Sequence, residues 1–356
     1  MADTRIERDC LGEMEIPNDR YYGIQTTRMK KVSGAAHQPI VFYPDIFRAM
    51  AHIKKAAARA NASVGALDPE IAEAIAEAAD KTLDGSYDNE FPLDMWQGGG
   101  YTCLNMNVNE VLGNMANEIL TGHKGQDKVH PNTHVNMGQS TNDTIPSATH
   151  LAIVPRIDAL IGALRTLAKA FEKKSAEFAD VVKVGRTCWQ DALPLTVGQE
   201  FSGYASVLNR LIKKLERVRP DCLEIVMGGS AVGTGLSGAP GYKEAFYKFI
   251  SEDLGETVTP MDNLFDGFQN GDTVVTVSGI VKEVACTLSK FAKDLRLMSS
   301  GPRAGWMELE LPALSPGSLP VDHARQDQPD GPRNGGPDRA SGDRKRRRGL
   351  GRALRR

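Results

Sequence analysis

Four short polar stretches in this 356-residue chain hold the residue types that grip a small carboxylate. The densest is Gly138-Gln139-Ser140-Thr141-Asn142-Asp143, which sets hydroxyls, amides and a carboxylate just ahead of a long amphipathic segment. A helix N-terminus presents unpaired N–H groups and the positive end of the peptide dipole, so short polar side chains placed there hold an anion readily. The same residue types are ordinary helix N-caps, and a cap role asks for no chemistry. Gly185-Arg186-Thr187 with Gln190-Asp191, the glycine-rich run from Gly228 to Gly235 with Ser230 and Thr234, and Ser299-Ser300-Gly301-Pro302-Arg303-Ala304-Gly305 repeat the polar-glycine character, each beside a long helix.

Three apolar stripes supply the elements that must position these stretches. Ile157, Leu160, Ile161, Leu164, Leu167 and Phe171 recur at helical spacing, as do Val197, Phe201, Tyr204, Leu208, Leu211, Leu215 and Val218. Val274, Val277, Val281, Val284, Leu288, Phe291, Leu295 and Met298 form the third. Helices of that length, on the order of 35 Å, suit an elongated or intersubunit bundle. Pro155 lies inside the first and predicts a kink or restart. Upstream, helices are predicted from about Asp45 to Asn61 and from Pro69 to Leu83, between loops rich in Gly, Pro and Asp. The fold class expected is mainly α: a mixed, mostly helical N-terminal domain over residues 1–138, then a long-helix central bundle over 139–320.

Composition narrows the function classes. Lys+Arg number 43 against 45 Asp+Glu, but residues 321–356 hold 11 basic and 5 acidic side chains, leaving an acidic body with 32 basic and 40 acidic. That body gives no electrostatic reason to expect nucleic acid or an anionic membrane as partner. The five cysteines are scattered without C-x-x-C spacing, which fits a reducing compartment; neither a metal nor a cofactor is indicated. No apolar run approaches the roughly 18 residues of a membrane span, and there is no basic-then-apolar leader, so a cytoplasmic protein is expected.

Together the motifs resemble the aspartase/fumarase superfamily, whose members eliminate ammonia or water to make fumarate. The resemblance runs from Arg5 to about Ser318, and is greatest to the aspartate ammonia-lyases through Arg5-Ile6-Glu7, Leu11-Gly12, Tyr21-Tyr22-Gly23-Ile24 and Gln97-Gly98-Gly99-Gly100-Tyr101-Thr102. Fumarases are similar over Asn105-Met106-Asn107-Val108-Asn109-Glu110 but usually break the glycine run before it. The resemblance implies a carbon–nitrogen lyase acting on L-aspartate and fumarate, assembled as a homotetramer around its central helices. It implies that Thr102, Ser140 and Thr141 bind the β-carboxylate, that Asn142 and Thr187 lie near the amino group, and that Ser318 is the base that takes the Cβ proton. Position 188 departs from the pattern: Cys188 stands where family members have His or Gln, and a thiol is a poor hydrogen-bonding group beside an imidazole or an amide. That departure also argues against a fumarase, which has histidine there.

After Pro316-Gly317-Ser318 the family signature stops. Its lysine and asparagine, which hold the α-carboxylate, should fall six and eight residues past the base, but Ala324 and Gln326 occupy those positions. Reading degenerate codons for Val321 to Gly336 one nucleotide later gives triplets compatible with the missing signature, S-I-M-P-G-K-T-N-P, and Arg344 to Arg347 shifted alike can encode a second family run. The tail, residues 321–356, is therefore read as out-of-frame and disordered, with the chain as written expected to be inactive. Two rival readings are a genuine nucleic-acid arm at Arg344 to Arg348, and a helical-bundle scaffold without turnover.

Overall fold

The computed structural model describes residues 3–311 except 33, 35, 98 and 99. Ser318 and the 321–356 tail lie outside the described residues. In chain order the elements are a hairpin of β1 (Thr4–Asp9) and β2 (Gly12–Pro17), then helices α1 (Ile24–Lys30), α2 (Pro44–Ser63), α3 (Pro69–Thr82) and α4 (Thr102–Thr121). The long α5 (Thr141–Glu177) leads to a second hairpin, β3 (Val182–Thr187) and β4 (Gln190–Thr196), and to α6 (Val197–Val218). Strand β5 (Glu224–Ile225), α7 (Tyr242–Leu254), strand β6 (Thr259–Pro260), the single turn α8 (Leu264–Gly267) and α9 (Asp272–Met298) complete the order. The chain divides into two compact units, Met1–Ala159 with Arg217–Thr276, and Leu160–Glu216 with Val277–Arg356. The fold is mainly α, as the stripes predict.

In the first unit the helices begin where the sequence supplies donors' partners. Pro44 opens α2 with Asp45 in its first turn, and the Asp68 side chain accepts from the Glu70 N–H at 2.8 Å to cap α3. Alanines at 56, 57, 58, 72, 76 and 79 are buried, α2 packs on α3, and Phe47 stacks on Phe91 with centroids 4.1 Å apart. Gly23 caps α1 in a space no side chain fits: a Cβ there would lie 2.5 Å from Glu7 Oε2 and 2.9 Å from Glu110 Cδ. Glu110, from α4, accepts the backbone N–H groups of Gly23, Gln25 and Thr26 and the Thr26 hydroxyl, so this motif residue serves to close the N-terminus of α1. Burial pushes its pKa up to about 7 against those bonds. Cys222 is fully buried, with its thiol pushed up to about 11 by burial. We expect Cys222 to resist iodoacetamide in the native state while exposed Cys10 reacts, and to become labelled only on unfolding; peptide mass spectrometry across a urea series checks this.

In the second unit Phe171 of α5, Phe201 and Tyr204 of α6 and Phe291 of α9 form one aromatic cluster, with centroids 4.5 to 5.7 Å apart. The Tyr204 hydroxyl donates to Asp294 at 2.9 Å. The second predicted stripe coincides with α6, whose Val197, Phe201, Tyr204, Leu208, Leu211, Leu215 and Val218 are all buried. The third differs in detail. On α9 the buried set is Val277, Ile280, Val284, Phe291 and Met298, while Val281 and Leu288 stay exposed, because one chain covers only one side of that helix. The restart predicted at Pro155 is absent: α5 runs unbroken for 37 residues, about 55 Å, through both Pro146 and Pro155. Each proline deletes a single backbone bond, and the buried Leu151, Val154 and Ile157 hold the segment in place. Among the described residues no helix is long and apolar enough to cross a membrane.

Candidate active site

The Ser140–Asp143 turn is built as a capping box. The Asn142 N–H donates to Ser140 Oγ at 3.2 Å, and the Ser140 N–H donates to Asp143 Oδ1 at 2.9 Å. Cap and ligand roles coexist here, since a hydroxyl that accepts from Asn142 still has its own proton to donate outward. Asp143 is fully buried, and its second oxygen accepts the Ser230 N–H at 3.0 Å, which fastens the Gly228–Gly235 run to the start of α5. Asn142 adds a further tie, donating through Nδ2 to the Ala231 carbonyl at 2.9 Å. Burial raises the Asp143 carboxyl to about pH 6, opposed by the Ser140 N–H and by the positive charge of Lys54.

Thr102 is exposed at the first residue of α4, whose N-cap Tyr101 adopts a left-handed conformation with φ 52°. One turn further along, Asn105 Nδ2 donates to Thr141 Oγ1 at 3.2 Å, so the starts of α4 and α5 meet. Behind this contact lies a polar cluster. Asn136 Oδ1 accepts from Lys54 Nζ at 2.8 Å, Asn105 Nδ2 at 3.1 Å and Asn109 Nδ2 at 3.2 Å. Lys54 is 0 % exposed, and burial drags its pKa down to about 7 despite the nearby Asp143 carboxylate. Sequence reading missed Lys54, Asn136 and the bracing role of Asp143. The signal for Lys54 was present: Met50, Lys54, Ala57 and Asn61 share the buried face of α2, and a lysine on such a face requires a partner.

Thr187 and Cys188 belong to the second unit, where the β3–β4 hairpin carries them exposed. Thr187 pairs with Gln190, and the two residues between, Cys188 and Trp189, have φ 50° and 65°. Positive φ at both central positions defines a type I′ turn, ordinarily the place of Asn and Gly. The departure at position 188 thus falls on a left-handed turn residue. A bulge at Gly185 brings that backbone against Leu193, where a Cβ would meet the carbonyl oxygen at 2.4 Å. Arg186 does not act as a free cation. It bonds Glu308 Oε1 at 2.6 Å and lies 3.8 Å over the Trp306 ring, while Lys183 bonds Glu308 Oε2 at 2.9 Å. Burial opposes the charge on Lys183, yet its carboxylate partners Glu200 and Glu308 leave its pKa raised. Thr187, Cys188, Trp189 and Trp306 line a cleft of about 610 Å³.

In the first unit, then, the structure brings Ser140, Thr141 and Asn142 to one helix start, with the helix headed by Thr102 beside it. Two helix N-termini and several hydroxyls there form an arrangement that can bind a carboxylate and stabilise charge developing on it.

A family model described as "Lyase" matches residues 12–319. The aspartate ammonia-lyase of Bacillus sp is 44 % identical over 321 residues, covering 89 % of this chain and 68 % of the relative. The class II fumarate hydratase of Rhizobium meliloti is 45 % identical over 323 residues, covering 89 % and 69 %. Among solved structures, the cobalt-bound fumarate lyase:delta crystallin of Brucella melitensis superposes with a TM-score of 0.86 at 42 % identity, covering 89 % of this chain and 70 % of that one. This chain therefore spans about two thirds of the length of these relatives. The matched motifs, the fold and the level of identity together place the chain in the lyase family, within the aspartase/fumarase superfamily.

Proposed function

We propose that this site performs the aspartate ammonia-lyase reaction, the reversible elimination of ammonia from L-aspartate to fumarate. The observation that carries the reading is the meeting of the start of α5, where Ser140 and Thr141 stand, with the start of α4 through the Asn105–Thr141 contact. In this reaction a base takes the Cβ proton, the electron pair enters the adjacent carboxylate, and its return forms the C=C bond as the C–N bond breaks. Thr102, Ser140 and Thr141 would donate to that carboxylate where negative charge develops. Asn142 and Thr187 would lie by the amine, and Ser318 would take the proton. The uninterrupted glycine run before Thr102 and the absence of histidine at position 188 favour ammonia over water as the leaving group. Class II fumarate hydratase remains the second reading, supported by relatives of equal identity.

The experiment is fumarate formation from L-aspartate and, separately, from L-malate, on the chain as written and on the protein read through the shifted frame after Ser318. Turnover of aspartate in preference to malate is expected from the second. Malate turnover alone would overturn the reading. Thr141→Val should lower kcat on the order of 10²-fold, by removal of one donor to the developing charge. The tail from Val321 is proposed to be out-of-frame, which resequencing across codons 318–321 tests. A cytoplasmic homotetramer is proposed as the assembly; the exposed Val281 and Leu288 on α9 are compatible with a helix that packs against a second copy.

A further inference from the structure

The direction of the hydrogen bonds behind Thr141 can be deduced from the chemistry of the groups at their far end. The Gln139 backbone carbonyl can only accept, and it receives Asn136 Nδ2 at 3.1 Å. That fixes which way the Asn136 amide faces, so its Oδ1 is presented to Lys54, Asn105 and Asn109. The ammonium of Lys54 has donors only, which sets the same orientation a second time. An acceptor at that point obliges Asn105 to present its NH₂. One of the two Asn105 N–H bonds goes to Asn136 and the other to Thr141 Oγ1 at 3.2 Å. Asn105 and Asn109 are 1 % and 0 % exposed, so water does not readily replace these partners. With its oxygen already accepting, the Thr141 hydroxyl has its proton left to donate elsewhere.

We propose that Asn136 and Asn105 are positioning residues which, anchored by the Gln139 carbonyl and Lys54, turn the Thr141 hydroxyl proton outward so that it is a donor to the substrate carboxylate. The inference deepens the reading given above and rests on it for the identity of the acceptor. It specifies something further, the polarity of one hydroxyl. Were Asn105 turned over, its oxygen would take the Thr141 proton inward and the site would lose a donor without losing any atom.

The diffraction arm uses the full chain as written, and the kinetic arm the protein read through the shifted frame after Ser318. Neutron diffraction from crystals grown in deuterated solvent should place the Thr141 deuteron away from Asn105, with the Asn105 deuterons directed at Thr141 Oγ1 and Asn136 Oδ1. A Thr141 deuteron lying between Oγ1 and Asn105 would overturn the proposal whether or not the chain turns over substrate. In the kinetic arm, Asn105→Asp is isosteric but accepts only. It should draw the Thr141 proton inward and lower kcat on the order of 10²-fold with a smaller change in KM. In a Thr141→Val background Asn105→Asp should cause no further loss, because the group it acts through is gone. An equal loss in that background would show a merely structural role and sink the idea. If the unsubstituted protein read through the shifted frame makes no fumarate, it is the functional reading that fails, and the neutron map alone decides the polarity.

Discussion

Asp143→Asn is expected to lower both stability and turnover, although the side chain keeps its number of heavy atoms. The Asp143 carboxylate accepts at both ends, from the Ser140 N–H at 2.9 Å and from the Ser230 N–H at 3.0 Å. A carboxamide accepts at one end only and sets an NH₂ against a backbone N–H at the other. A buried donor is then left without a partner, which costs about 1–3 kcal/mol, and Lys54 loses the carboxylate that favours its charged form. The expected loss is about 2–4 kcal/mol, read as a shift in the urea midpoint at constant m-value. Because the same carboxylate braces the Ser140–Asn142 turn against the Gly228–Gly235 run, kcat should fall along with stability. A variant with parent-like midpoint and parent-like kcat would show that the turn keeps its shape without this brace.

Lys54→Met should flatten the dependence of stability on pH in the alkaline range. In the folded chain burial lowers the Lys54 pKa from 10.5 to about 7. Between those two values the unfolded chain binds more protons than the folded one, so stability rises with pH across that window. The slope is at most about 1.4 kcal/mol per pH unit. Asp143 and Glu110 act in the opposite sense at lower pH. Their folded values, about 6 and about 7, lie above the ordinary 3.8 and 4.5, so each contributes stability in the acid range that declines as pH rises through its folded value. Lys54→Met removes the alkaline rise. It also raises the Asp143 midpoint further, since the ammonium charge no longer opposes burial. Urea titrations of parent and variant at about pH 7 and about pH 9.5 decide the matter. Parallel pH profiles would mean that the Lys54 ammonium is not desolvated as its burial requires.

The helices were legible because periodicity and end signals agree. Pro69 after Asp68 marks the start of α3, and the stripe from Val197 to Val218 gives both ends of α6. On α9 periodicity alone could not tell the residues buried within the chain from Val281 and Leu288, which are left exposed. At Pro155 the sequence allowed a kink or a restart, and the structure excludes the restart, because a local rule about one lost bond does not see the packing that holds the helix through it. At the site, Ser140, Thr141 and Asn142 were visible as a polar run before a helix. Whether they cap or bind was not, since both roles use the same residue types, and the capping-box geometry lets Ser140 fill one role and keep a proton for the other.

Residue type and spacing alone determined that this chain is mainly α and that polar clusters sit at the starts of long helices. These are local properties, fixed by neighbours within a turn or two. Only the tertiary structure decided that Glu110 closes the N-terminus of α1, that Arg186 is occupied by Glu308, and that Lys54, Asn105 and Asn136 converge behind Thr141. Those partners are between 31 and 122 residues apart in the chain. Their pairing is imposed by burial, which makes each desolvated polar group find a partner wherever the packed helices bring one.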